Sequence, residues 1–191
     1  MFILENNTMT RSMTIFSLFL VYLILNQAHQ LVQSFPAAVK TTVTMEPVFE
    51  QVKPIKLSPK EQDCLARNVF YEAGTEEVLG KVAVAQTTLN RVKLGHWGHH
   101  VCDVVYAPKQ FSWTSDVRAY ERPKGALWEE TKLAVSSVID NGLRIRQLKQ
   151  SLFYHADYVS PEWRDDHKRI IQIGTHIFYS GGKDSWLAVN Q

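Results

Sequence analysis

Between Asp63 and Arg91 the chain reads DCLARNVFYEAGTEEVLGKVAVAQTTLNR, and this stretch limits the possible fold more than any other. Its spacing predicts two helices broken at Gly74, a residue able to take a left-handed turn. The first helix has a strong start: Ser58 as N-cap, Pro59 at the first helical position and Glu61 completing a capping box. For the second, Thr75 is the expected cap, with Glu76 and Glu77 as charges suited to the positive end. Val78, Val82, Ala85, Leu89 and Val92 then recur at helical spacing and predict a core-facing stripe. Gly80 and the run Ala83, Val84, Ala85 keep this helix thin, so its predecessor can pack close.

Glu72 falls at the break. Val69 and Leu65, three and seven positions earlier, share its helix face. An ionised carboxylate on an apolar stripe is costly, so its pKa should rise, and a raised pKa suits a general acid near neutral pH. The alternative is a structural Glu that caps the next helix or pairs with an arginine such as Arg67 or Arg91.

The rest of the chain supplies a frame for this acid. At 191 residues, 45% hydrophobic and 21% charged, it has the composition of one globular domain plus extras. A formal charge of +2 without a basic block gives no reason to expect nucleic acid. Residues 13–25, MTIFSLFLVYLIL, are too short for a span of about 20 apolar residues and suit an export signal. Residues 1–34 are therefore read as a signal peptide or signal anchor, with cleavage before Phe35 or near Ala28. Residues 35–57, carrying Pro36, Pro47 and Pro54, read as an extended linker. The domain is expected over 58–182, with 183–191 as a tail. In an oxidising compartment Cys64 and Cys102 could pair, adding roughly 3–4 kcal/mol. Two buried free thiols are the alternative. A third helix is expected over 125–141 with Gly142 at its end, and strands over 151–154, 169–173 and 177–179, the last two forming a hairpin.

Beyond Glu72, the runs NVFYEAGTEEVLGKVAVAQTTLNRV and VCDVVYAPKQFSW, with LFYHADYVSPEW and IGTHIFY, resemble the cell-wall hydrolase family of the spore-cortex-lytic enzymes. The matching blocks lie between Cys64 and Tyr179. One departure is Gly74-Thr75 where the family commonly has Arg-Gly, which puts local substrate contacts in doubt more than the acid. The resemblance implies a compact α+β domain: a lysozyme-like helical lobe carrying Glu72, a small antiparallel sheet, and a substrate groove between them. It implies peptidoglycan glycan strands as partner, and lytic transglycosylase chemistry between N-acetylmuramic acid and N-acetylglucosamine. One carboxylate can serve both proton transfers there, as in substrate-assisted sites. If water were the acceptor, Asp103 or Asp116 would be the candidate second carboxylate.

Asn90 could hydrogen-bond an N-acetyl group or cap its helix end. Gln110 and Ser112 could fix sugar hydroxyls in a loop, and the resemblance places Phe111 and Trp113 along the groove, since sugar rings present apolar faces. Trp97 is assigned to ordinary packing. Tyr154, His155 and Tyr179 complete the expected substrate contacts, and His155 and His176 are treated as orienting histidines.

Seven histidines raise the alternative of a zinc amidase or peptidase, yet there is no His-Glu-x-x-His. Nor is there a Gly-x-Ser-x-Gly elbow. No cofactor or metal is expected. A non-catalytic murein-binding module is the remaining class, and the aromatic-Glu-Ala setting of Glu72 argues against it. The reading is an exported monomer, touching membrane only through its N-terminal segment. Bacterial wall remodelling and viral lysis fit equally well.

Overall fold

The structure, a computed structural model, describes residues 22–23, 26–27, 47–116 and 121–181. The chain divides into two units, residues 1–44 and 45–191. Of the first, Tyr22, Leu23, Asn26 and Gln27 are helical and exposed. The expected export signal and C-terminal tail otherwise lie outside the described residues. Among the described residues, no helix is long and apolar enough to cross a membrane.

The second unit is α+β. Strand β1 (Phe49–Gln51) leads into helix α1 (Pro59–Ala73), helix α2 (Val78–Leu94) and short helix α3 (Val101–Val105). A 3-10 turn (Ser112–Ser115) and helix α4 (Ala126–Ile139) follow. Strands β2 (Leu143–Ile145), β3 (Ser151–Ala156), β4 (Arg169–Ile173) and β5 (His176–Ser180) complete the order. β1 pairs antiparallel with β2, and the three-stranded sheet runs β3-β5-β4, antiparallel throughout. Residues 48–57 are extended, as Pro54 suggests, but they are tied down. Phe49 pairs with Ile145, the Ile55 amide donates to Ile139 O, and Ile55 and Leu57 pack on the core. The folded unit thus begins upstream of Ser58.

Local signals account for α1. The Ser58 hydroxyl accepts from the Glu61 amide while the Glu61 carboxylate accepts from the Ser58 amide, and Pro59 opens the first turn. Leu65 and Val69 are fully buried. Gly74, however, ends the helix in right-handed geometry (φ −60°, ψ −29°), so the expected left-handed turn is absent. The N-cap of α2 is Glu77 rather than Thr75, with no side-chain cap.

α2 is the centre of the unit. Every residue from Gly80 to Thr88 is buried, so this helix is covered on all sides rather than along one stripe. α1, α3, α4, β2 and β3 all pack against it. Val82 and Ala85 are buried as expected, but Val78 is 48% exposed at the first turn. Polar residues inside are matched. Lys81, 1% exposed, donates to Glu76 O and to Glu130 of α4, and Gln86 bonds both backbone groups of Ile145. Cys64 and Cys102 form a disulfide that ties α1 to α3.

Candidate active site

Glu72 lies in the last turn of α1, half-buried. The Tyr154 hydroxyl donates to its Oε2 at 3.1 Å, bringing β3 onto the end of α1. Tyr154 faces the helices beside Phe178, its cross-strand partner, and His176 meets its ring edge-on at 5.3 Å between centroids. The third member is Arg91 of α2, 6% exposed. Its Nε donates to Leu152 O at 2.7 Å, and its guanidinium lies 4.9 Å from the Trp97 ring centroid and 5.2 Å from that of Phe111.

Three influences set the proton on Glu72. Burial pushes its pKa above the ordinary carboxylate range, and this outweighs the Tyr154 hydrogen bond and the Arg91 charge, which both favour the ionised form. Burial, and then the neighbouring carboxylate, hold the Tyr154 phenol well above its usual value, so it stays a neutral donor. Burial lowers Arg91, but Tyr154 and Glu72 oppose that, and a guanidinium remains charged. The result is a carboxyl group inclined to keep its proton, with a hydrogen-bond donor and a positive charge that favour its ionised form.

The other acids near the break are differently engaged. Glu76 is no simple first-turn charge. Its carboxylate accepts from the Thr175 amide and hydroxyl and lies 3.6 Å from His176 Nδ1, pinning the β4–β5 turn to the α1–α2 connection. Gly174 at that turn has φ +57°, a conformation that favours glycine, and a Cβ there would press on the Glu76 carboxylate. Burial lowers His176, while Glu76 and Asp157 pull it up. Asp103 neighbours Cys102, whose bond to Cys64 anchors α3 eight residues before Glu72, or about 12 Å along α1.

Several expected substrate contacts turn out otherwise. Phe111 and Trp113 are 4% and 9% exposed and belong to the core, not to an exposed aromatic loop. Trp113 Nε1 donates to Asn68 Oδ1 at 3.1 Å and its ring stacks on Tyr71. A buried acceptor on α1 thus satisfies the indole and draws the loop inward. Ser112 is exposed, while Gln110 reaches only Pro108 O at 3.4 Å. Asn90 Nδ2 donates to Leu148 O and Ser151 O, both at 2.9 Å, so this amide group secures the entry to β3. His155 and Tyr179 bond each other at 2.9 Å on the sheet face opposite Tyr154, among Phe153, Trp163 and His167. Of the expected set, Tyr154 alone is shown bonded to Glu72. Arg91 was legible only as a possible structural partner; its place in the Asn-Arg-Val run was the available signal. Among the described residues, no three His, Cys, Asp or Glu side chains converge to hold a metal ion.

A family model described as Cell Wall Hydrolase matches residues 75–179. The chain belongs to the cell wall hydrolase family. The match begins just after Glu72, so that residue's role rests on its own surroundings. A spore cortex-lytic enzyme of Bacillus cereus is 32% identical over 122 residues, covering 63% of this chain and 44% of that protein. One from Bacillus subtilis is 31% identical over 115 residues, covering 60% and 35%. The chain thus spans less than half the length of these relatives. Among solved structures, the catalytic domain of the germination-specific lytic transglycosylase SleB from Bacillus anthracis superposes with a TM-score of 0.57 at 29% identity. It covers 67% of this chain and 100% of that one. The Bacillus cereus SleB catalytic domain gives 0.56 at 30% identity, covering 66% and 94%. Membership in this family was legible from the sequence blocks, and the α+β architecture agrees with it.

Proposed function

We propose that this cell wall hydrolase family member cleaves the glycan strands of peptidoglycan as a lytic transglycosylase, with Glu72 as the single general acid and base. The observation that carries the reading is the Tyr154–Glu72 hydrogen bond, made to a carboxyl group whose burial favours the protonated form. Glu72 gives its proton to the glycosidic oxygen as the bond to muramic acid C1 breaks. The muramic acid C6 hydroxyl then attacks C1, and its proton passes to the Glu72 carboxylate. One C–O bond is lost and one formed, the acid is regenerated, and the product carries a 1,6-anhydro end. Tyr154 and the Arg91 charge steady the carboxylate between the two transfers. Substrate is taken to lie in a groove between the helices and the three-stranded sheet. The apolar run at 13–25 would export the enzyme, or anchor it, and it would act as a monomer.

Product analysis tests this. Purified murein is digested and the fragments identified by mass spectrometry. Anhydro-muramic ends are expected; reducing ends would indicate water as acceptor, and free stem peptides an amidase. Glu72→Gln should keep the fold and lose lysis. A folded Glu72→Gln protein that still clears cell walls overturns the assignment.

A further inference from the structure

On another face of α2, away from Glu72, a partly open cavity of about 500 Å³ opens between that helix, the segment 50–57 and the entry to β3. Its size falls in the range of about 300–1,000 Å³ typical of small-molecule sites. Its walls are hydrocarbon, from Val52, Ile55, Leu57, Leu89, Val92 and Leu152. Of the amides among its lining residues, Gln86 and Asn90 are already committed, while Gln150 is exposed. Gln86 bonds the Ile145 backbone at both ends, and Asn90 Nδ2 bonds two carbonyls. At the rim, Lys93 and Lys149 are exposed, and neither has an ion-pair partner among the described residues. Arg144 and Glu50 also line the cavity, their charges opposed.

We infer that this cavity is a binding site for an anionic amphiphile: a single acyl chain inside, its acidic head between Lys93 and Lys149. Apolar walls with a cationic rim favour this over a polypeptide occupant. A peptide brings backbone groups that need partners on burial, whereas an acyl chain needs only apolar walls along its length and a counter-charge at its end. The amphiphile could be a free fatty acid or the anionic lipid of a membrane surface. Glu72, Tyr154 and Arg91 are not among the lining residues, so the inference does not rest on the proposed activity.

Calorimetric titration of the full chain with dodecanoate, below its micelle concentration, tests the inference. Saturable binding is expected, strengthening about fourfold per added methylene across a series of shorter acids until the cavity is full. Lys93→Glu with Lys149→Glu, both on exposed side chains, should weaken binding at least tenfold. Leu89→Trp, checked for fold by circular dichroism, should block it. Co-sedimentation with phosphatidylglycerol vesicles, lost in the same variants, would identify membrane lipid as the source; dodecanoate binding without co-sedimentation would identify a free acid. Three results overturn the site: no saturable binding at millimolar concentration, equal binding of dodecyltrimethylammonium, or binding unchanged by both sets of variants. The last would place the amphiphile on the apolar run at 13–25 instead.

Discussion

Tyr154→Phe removes one oxygen from the site and little else, which makes it the sharpest probe of how Glu72 is tuned. The phenol donates to Oε2 at 3.1 Å. Hydrogen bonds to charged groups contribute about 1.5–3 kcal/mol. This one is long for a hydroxyl–carboxylate pair, so the lower figure applies. About 1.5 kcal/mol is roughly a tenfold change in the protonation equilibrium. The direction follows from which form the bond favours. Tyr154 stabilises ionised Glu72, so its loss leaves burial less opposed and Glu72 holds its proton to higher pH. The alkaline limb of the kcat/KM profile, which reports the acid of the free enzyme, should therefore move upward. At the optimum, kcat should fall about tenfold, because the carboxylate formed between the two proton transfers loses its donor. Initial rates of murein clearance across pH, with circular dichroism to confirm the fold, measure both. Tyr154 itself stays neutral over this range, so the limb cannot be its own titration. An alkaline limb that stays in place, or moves down, refutes the coupling and leaves Tyr154 as packing.

Glu72→Gln should gain thermal stability as well as lose activity. Burial raises the native pKa of Glu72, so its contribution to stability is intact below the ordinary carboxylate range and lost as pH rises through the native value. The glutamine variant should melt above the wild type at neutral pH, each 1 kcal/mol appearing as about 2–4 °C, with the gap closing on acidification; an equal gap at both pH values contradicts it. Cys64 and Cys102 stand 38 positions apart, and closing a loop of that length contributes about 4 kcal/mol. Replacing both with alanine, or reducing the wild type, should lower the unfolding free energy in urea by that order, and superimposable curves would show the bond idle. Asn90→Ala loses two bonds to backbone carbonyls and should cost roughly 1–3 kcal/mol of stability with KM unchanged. A raised KM at full stability would return Asn90 to the substrate.

What the chain discloses about itself follows the range of each interaction. The capping box of α1 is read within four residues, and Leu65, Val69 and Glu72 share a face by helical geometry alone, so the place of Glu72 on an apolar face was legible. Family blocks were legible for the same reason, as ordered runs. α2 was harder. Its Val-Ala-Val-Ala core predicted close packing, but Lys81, Gln86 and Thr87 look like surface residues in sequence. Each is buried because its polar atoms meet a specific distant partner: Glu130, Ile145 and Ser151. Trp113 reversed the expectation for the aromatic loop by the same means, through Asn68.

The sheet shows why neighbouring residues can part company. Tyr154 and His155 are adjacent and chemically suited to one site, yet a strand sends them to opposite faces, and which face meets α1 is fixed by register. That register shifts between Ser151 and Phe153, an irregularity that no periodicity in LFYHAD announces. Once Tyr154 faces Glu72, His155 must join Tyr179 on the far side, and two of the expected substrate contacts leave the site together. Arg91 completes the acid's surroundings from a third segment, through a backbone carbonyl of the same strand. β3 thus meets both residues: its Leu152 carbonyl accepts from Arg91, and Tyr154, the next residue but one, donates to Glu72. A substitution that slipped β3 by one residue would exchange Tyr154 for His155 at Glu72 and move the Leu152 carbonyl off Arg91, which makes strand register the feature on which the tuning of Glu72 depends.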